Sequence, residues 1–299
     1  MRQTYGKMLP GMKLPDLAGK LLVLEGTDCA GRTTQINMLR PWLEQLGHAV
    51  LDTGMARSSL AGEGIRRAKE GNNLGRVTQS LFYATDFVDR LENEVIPALR
   101  AGFIVLTDRY IYSLMARAIV RGMDAAWIRG IYSAALIPDA VFYLRVDVEQ
   151  LIPRVIFSRG FDYWESGMDV FPGQDMYASF RSYQAALLAE FDKLSVEFNF
   201  ETLDASADAK IVFAQLQAKV QRVLEGDSRR EYLRESHSFN REYLHKVFEY
   251  AAAATMRRSP DQAVAAPPRE AAAAHHNWSA SPMSSHASSQ NGGGFLQRK

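Results

Sequence analysis

Cysteine is nearly absent. Cys29 is the single one in the chain, so no internal disulfide framework can form and a reducing compartment is expected. Excess charge of either sign is also missing. With 35 basic and 34 acidic residues and a net charge of +1, the chain has no electrostatic footprint for nucleic acid or an anionic membrane surface. Small anions can still bind locally. Long apolar runs are lacking too, and none approaches the roughly 20 residues needed to cross a bilayer. The N-terminal stretch MRQTYGKMLPGMKLPDLAGK scatters Pro, Gly and Lys among its Met and Leu residues, which leaves no unbroken apolar segment of the kind a secretion signal needs. The expectation is a soluble cytoplasmic protein with no nucleic-acid and no membrane partner.

What is present is apolar sequence in short pieces. At 47% hydrophobic over 299 residues, the chain can bury one sizeable core. Strands and helices alternate, the pattern of an α/β fold whose parallel sheet is flanked by helices. KLLVLEG predicts a buried strand ending in glycine, and the next stretch carries Ile36, Leu39, Leu43 and Leu46 at helical spacing. HAVLDT, FIVLT, AVFYLRV and FNFETLD predict four more strands, with long helical segments over Gly75 to Arg100 and Met176 to Phe198. Beyond about Gly226 the composition changes. The sequence suggests an extension over 1–19, one domain over 20–225, a charged helical appendage over 226–258 and a disordered Ala/Pro/Ser/Gly tail over 259–299. In the appendage Tyr243, Val247 and Tyr250 form an apolar stripe that suits a partner or packing on its own domain. His275-His276 in the tail is too sparse for a metal site.

The chemistry concentrates in LEGTDCAGRTTQ, Leu24 to Gln35. Gly26, four residues and then Gly31, set between a predicted strand and a predicted helix, have the spacing of a phosphate-binding loop. Such a loop turns successive backbone N–H groups inward, and the following helix adds the positive end of its dipole. Gly26, Thr27, Asp28, Cys29, Ala30, Gly31, Arg32, Thr33 and Thr34 are thus the predicted nucleotide-binding residues. Thr33 supplies a hydroxyl suited to Mg2+. The lysine expected at position 32 is an arginine, which keeps the charge but has a larger, planar head.

Three further stretches join this loop: LFYATDFVDRLENEVIPALRAGFIVLTDRYIYS, RGMDAAWIR and IPDAVFYLRV. With them the chain resembles the thymidylate kinase family over roughly Lys20 to Lys219. The resemblance implies a P-loop kinase fold with a five-stranded parallel sheet and a mobile lid, ATP and Mg2+, a nucleoside monophosphate acceptor, most simply dTMP, and a homodimer. It also implies roles for single residues. Asp28 would contact the acceptor's sugar, Asp108 would hold Mg2+ with Thr33, Arg109 would grip the acceptor phosphate, and Phe82 would stack on the base.

Departures from the family pattern fall mostly on the acceptor side. Asp86 stands where the family has a phosphate-binding arginine, and a carboxylate facing a phosphate would repel it. The Arg-Glu-Pro-Gly-Gly segment becomes Gly54 to Ser58, leaving Arg57 to compensate. After Asp-Arg-Tyr, nucleotide-reading polar residues become Ala116, Arg117, Ala118 and Ile119, with Arg117 a candidate phosphate ligand. In the lid, Tyr163 replaces a catalytic arginine, and Cys29 occupies the alternative arginine position within the loop. Arg154 and Arg159 remain nearby, and Arg159 is the stronger catalytic candidate beside Arg32, Asp108 and Arg109. The sequence leaves open a dTMP kinase, a phosphotransferase with another acceptor, and a nucleotide-binding regulator without turnover.

Overall fold

The computed structural model describes residues 3–6, 17–71 and 74–231. Five parallel strands, β1 (Lys20–Glu25), β2 (Val50–Gly54), β3 (Ile104–Asp108), β4 (Ala140–Arg145) and β5 (Glu201–Asp204), lie in the order β2-β3-β1-β4-β5. All five correspond to the apolar runs read from the sequence. The inner strands β1, β3 and β4 are mostly apolar on both faces because helices cover both, whereas the edge strand β5 buries only Leu203. On one face Leu21, Val23, Val105, Val141 and Tyr143 pack with Leu91, Leu99, Tyr112 and Leu187. On the other, their alternates Leu22, Leu24, Ile104, Leu106, Phe142 and Leu144 pack with Ile36, Leu39, Leu216 and Val220. The period of two along each strand makes the sheet the wall between two cores.

Helices α1 (Arg32–Gln45) and α9 (Ala209–Glu231) supply the second core. The first is built from α3 (Arg76–Arg90), α4 (Ile96–Arg100), α5 (Ile111–Val120), α6 (Ala125–Ile131) and α8 (Met176–Glu197). Two further helices, α2 (Gly62–Glu70) and α7 (Val148–Ser158), border the strand ends. Between α3 and α4 the chain makes a π-helical turn over Leu91–Val95. Residues 3–6 lie against 133–137: Thr4 bridges Leu136 in antiparallel sense, Gly6 N donates to Ser133 O at 2.7 Å, and the Tyr5 and Tyr112 hydroxyls are 2.5 Å apart. Helix α9 runs through position 226 to Glu231. The rest of the predicted appendage and the whole tail, with Tyr243, Val247, Tyr250, His275 and His276, lie outside the described residues. Among the described residues no helix is long and apolar enough to cross a membrane.

The strand order fixes where a ligand can go. From β1 the chain moves outward to β2, and from β3 it crosses to β4 on the other side of β1. A crevice therefore opens between the carboxyl ends of β1 and β3, the usual ligand position in open α/β sheets.

Candidate active site

β1 ends in the predicted loop. Gly26 has φ of 150°, and a Cβ there would meet Leu144 O at 2.7 Å, so the strand can turn only on glycine. Cys29 follows with φ of 60° and Gly31, at the start of α1, with φ of 97°. The N–H groups of Asp28, Cys29 and Gly31 have no acceptor among the described residues, and Thr27 Oγ1 is buried without a partner. Unpaired backbone donors beside a helix N-terminus and an orphaned buried hydroxyl are features a phosphate ligand would satisfy. Cys29, Ala56 and Arg109 are three of the four non-glycine residues with positive φ among those described, and all three fall at this end of the sheet. Such backbone strain gathers at functional sites.

Arg32 does not project as a lysine would. Its Nε donates to Asp108 Oδ1 at 2.7 Å, and its Nη1 donates to Gly26 O at 2.7 Å and to Thr27 O. Only 8% of the residue is exposed. Its planar fork is thus folded under the loop, spanning backbone carbonyls and a carboxylate, a task that needs several directed donors. Asp108 also accepts from Thr33 Oγ1 at 3.2 Å. Burial pushes the Asp108 carboxyl upward, but the Arg32 and Arg109 guanidiniums outweigh it and hold the group below its ordinary value. Thr33 and Asp108 form a pair of hard oxygen donors, which fits Mg2+, an ion that binds through one or two protein oxygens and keeps waters and phosphates as its other ligands.

Asp28 is the second hub. Its carboxylate accepts from Arg109 Nη2 and, at 2.6 Å, from Arg117 Nη2, with Arg159 Nη2 at 3.8 Å. Burial alone would raise its pKa, but Arg109 and Arg117 hold it well below the usual carboxylate range. Arg159 donates to Glu165 at 2.5 Å. Burial and the nearby Asp28 carboxylate raise the pKa of Glu165. Arg57 pairs with Asp52 at 3.0 Å and lies 3.9 Å from Asp108, and Arg154 donates to the carbonyl of Ala205 at 2.8 Å. All of these residues except Asp52 line one cleft of about 690 Å³ with Ala30, Gly31, Thr33 and Thr34.

Two expectations from α3 read differently in three dimensions. Phe82 lies outside the cleft, 36% exposed, with its ring beside Gly64 of α2. The aromatic that turns inward is Tyr83, which lines a side chamber with Tyr132 and Trp164. One residue is about 100° of rotation on a helix, so the neighbour takes the inward position. Asp86 is enclosed at 0% exposure, where it accepts from Ala56 N and Ser58 N, both at 2.9 Å, and from Arg90 Nε at 3.0 Å. The expected repulsion of an acceptor phosphate by Asp86 is therefore corrected: the carboxylate anchors the 56–58 turn and lines neither cavity.

The sequence reading passed over Lys69, Gln79, Tyr83, Arg121 and Glu165, all of which line the cleft or the chamber. Only Arg121 carries a sequence signal, standing four residues after Arg117 and so in its helical phase; Lys69 belongs to α2, Gln79 and Tyr83 to α3, and Glu165 to the predicted lid. The segment predicted as a lid is held from α5 and α8: Arg121 donates to Trp164 O at 3.0 Å, Gln184 to Glu165 O at 2.8 Å, and Ser179 to Ser166 O at 2.7 Å. Among the described residues one hydrogen bond, Trp164 Nε1 to Lys69 O at 2.9 Å, joins this segment to α2. Tyr163 packs edge-on against Trp164 and does not reach the cleft.

A family model described as thymidylate kinase matches residues 24–216. The chain belongs to the thymidylate kinase family. A relative from Saccharolobus solfataricus named "Probable thymidylate kinase 2" is 35% identical over 198 residues, spanning 66% of this chain and 92% of the relative. "Thymidylate kinase" of Clavibacter sepedonicus is 36% identical over 146 residues, 46% of this chain and 68% of that protein. That of Brachyspira hyodysenteriae is 26% identical over 200 residues, 66% of this chain and 90% of that protein. Membership places the chain among the kinase phosphotransferases, and the matched region runs from the end of β1 into α9.

Proposed function

We propose that the chain is a dTMP kinase: the terminal phosphoryl group of ATP passes to the phosphate of dTMP, giving ADP and dTDP. The observation that carries this reading is the convergence, at one edge of the sheet, of the loop with its unpaired amides, the Thr33–Asp108 oxygen pair and the cations gathered on Asp28.

The amides of Asp28, Cys29 and Gly31 orient the donor's phosphates. Thr33 and Asp108 would hold Mg2+, which when bound neutralises charge at those phosphates. Arg109 and Arg117 exchange one Asp28 oxygen each for the acceptor phosphate, a swap between two oxyanions of the same geometry. Arg159, on the flank of the cleft, offsets charge on the group in transit. An acceptor oxygen bonds to the γ-phosphorus as the bridging oxygen leaves with ADP. The side chamber encloses only about 20 Å³, less than a nucleobase needs. The base enters between α2 and the Trp164 segment, which are joined by one hydrogen bond among the described residues, and stacks on Tyr83.

A second reading, another acceptor on the same donor site, is favoured by Leu114 and Ala118, which offer no hydrogen bond to a base edge and leave that task to Gln79 and Ser80 in the same chamber. Both readings meet in one assay: ADP release from ATP and Mg2+ over a panel of nucleoside monophosphates with a no-acceptor control. Fastest turnover is expected with dTMP. Preference for a different monophosphate would establish the second reading, and ATP binding without turnover on any acceptor would leave a nucleotide-binding regulator.

A further inference from the structure

Six arginines and one lysine line the cleft. Each arginine is already bonded to a carboxylate or a carbonyl. Lys69 differs. It stands one residue from the end of α2, half-buried, and borders both the cleft and the side chamber. Its ammonium makes no hydrogen bond and no ion pair within 4 Å among the described residues. Burial, and then the Arg117 guanidinium, lower its pKa, while the carboxylates of Asp162, Glu165 and Asp28 pull the other way from beyond contact distance. A partly desolvated ammonium without a counter-ion is costly until an anion arrives.

The neighbours say which anion. The charged groups that act most strongly on Lys69 are Arg117, Asp162, Glu165 and Asp28, and the Thr33–Asp108 pair is not among them. The chamber beyond Lys69 has aromatic walls, so the junction that Lys69 occupies lies where a phosphate would hang from a nucleoside whose base rests on Tyr83. Lysine also suits this place better than a seventh arginine. Its head is a compact charge on a flexible stem, free to follow a phosphate as α2 parts from the Trp164 segment. We infer that Lys69 is an acceptor-phosphate ligand supplied by α2, on the residue whose backbone carbonyl accepts from Trp164 Nε1.

This inference rests on the kinase reading above, and the test separates the two. Equilibrium binding of dTMP, thymidine and ADP is measured on the full chain and on Lys69→Met and Lys69→Arg. For Lys69→Met the Kd of dTMP is expected to rise about tenfold or more, the scale of a hydrogen bond to a charged group, with thymidine and ADP unchanged. Lys69→Arg is expected to recover most of the loss. In turnover Lys69→Met is expected to raise the KM for dTMP and leave the KM for ATP alone. Unchanged dTMP affinity, or equal weakening of dTMP and thymidine, would overturn the assignment. A wild-type chain that binds ADP but neither dTMP nor thymidine would overturn the acceptor reading itself, and this assignment with it.

Discussion

On the P-loop side of the cleft, Asp28 is held by side chains alone, the guanidiniums of Arg109 and Arg117 with Arg159 nearby. Some distance along the chain, Asp86 is buried as completely but is held by two backbone amides of the 56–58 turn and by Arg90. The residue type and burial match, yet the partners differ in kind. Backbone amides in a turn cannot leave without unfolding it, whereas guanidiniums on long stems can trade one oxyanion for another. A buried carboxylate therefore serves as a strut in one place and, under the proposed function, as a placeholder for phosphate in the other, and the identity of its partners separates the cases.

That contrast is most sharply broken at Asp86. Asp86→Ala leaves two amides and a buried guanidinium unpaired, and it is expected to cost about 3–5 kcal/mol in a denaturant titration. Asp86→Arg should fail to fold rather than improve dTMP use. Next comes the loop: Arg32→Ala removes the partner of Asp108 and the brace of the Gly26 carbonyl, and kcat is expected to fall about 10²- to 10³-fold. A fall of less than a few-fold would show that the arginine braces the loop without aiding transfer.

Asp28 should show its electrostatic nature in acid. Its folded pKa lies below the unfolded value of about 3.9, so between the two the unfolded chain binds more protons and stability rises with pH. This contribution is present above about pH 4 and is lost as pH falls through the folded value. Glu25 and Glu165, whose pKa values are raised, act in the opposite sense at higher pH, where stability falls as pH climbs toward their folded values. The difference between wild type and Asp28→Asn in unfolding midpoint, followed from neutral to acid, isolates the first term. It should shrink below pH 4, and a pH-independent difference would contradict the ionic picture.

The smallest effects test the helix register. Tyr83→Ala should weaken dTMP binding by about 1–3 kcal/mol, the worth of one base–aromatic stack. Phe82→Ala should change it by less than about 0.5 kcal/mol, as surface substitutions do. Reversal of that order would put the sequence-based choice of Phe82 back in the site.

The strands and the loop were legible because each rests on local chemistry. Short apolar runs bounded by glycine can only be buried strands here, and the Gly26–Gly31 spacing sets backbone direction whatever surrounds it. The α3 register was not legible, since LFYATDFVDR carries apolar side chains almost all round and its inward face is decided by what packs on it. Asp86 and Lys69 were hidden for a related reason. Whether a charge meets an amide, a guanidinium or nothing depends on segments far away in sequence, such as residues 56–58 and 162–165. Arg32 lay between these cases: its position was plain, but its engagement with Gly26 O and Thr27 O was not.

The π-helical turn over Leu91–Val95 has a consequence for how this chain tolerates change. A widened turn of this kind holds an extra residue within an otherwise regular helix. On its N-terminal side Gln79, Ser80 and Tyr83 face the chamber; within the turn Leu91 and Val95, and beyond it Ile96 and Leu99, join the core against the sheet. The bulge lets each half keep its own phase, so a one-residue insertion or deletion there would be absorbed as a longer or a vanished bulge while the residues before it stay in place. A change in the length of this helix is thereby expected to leave the residues that face the chamber in place.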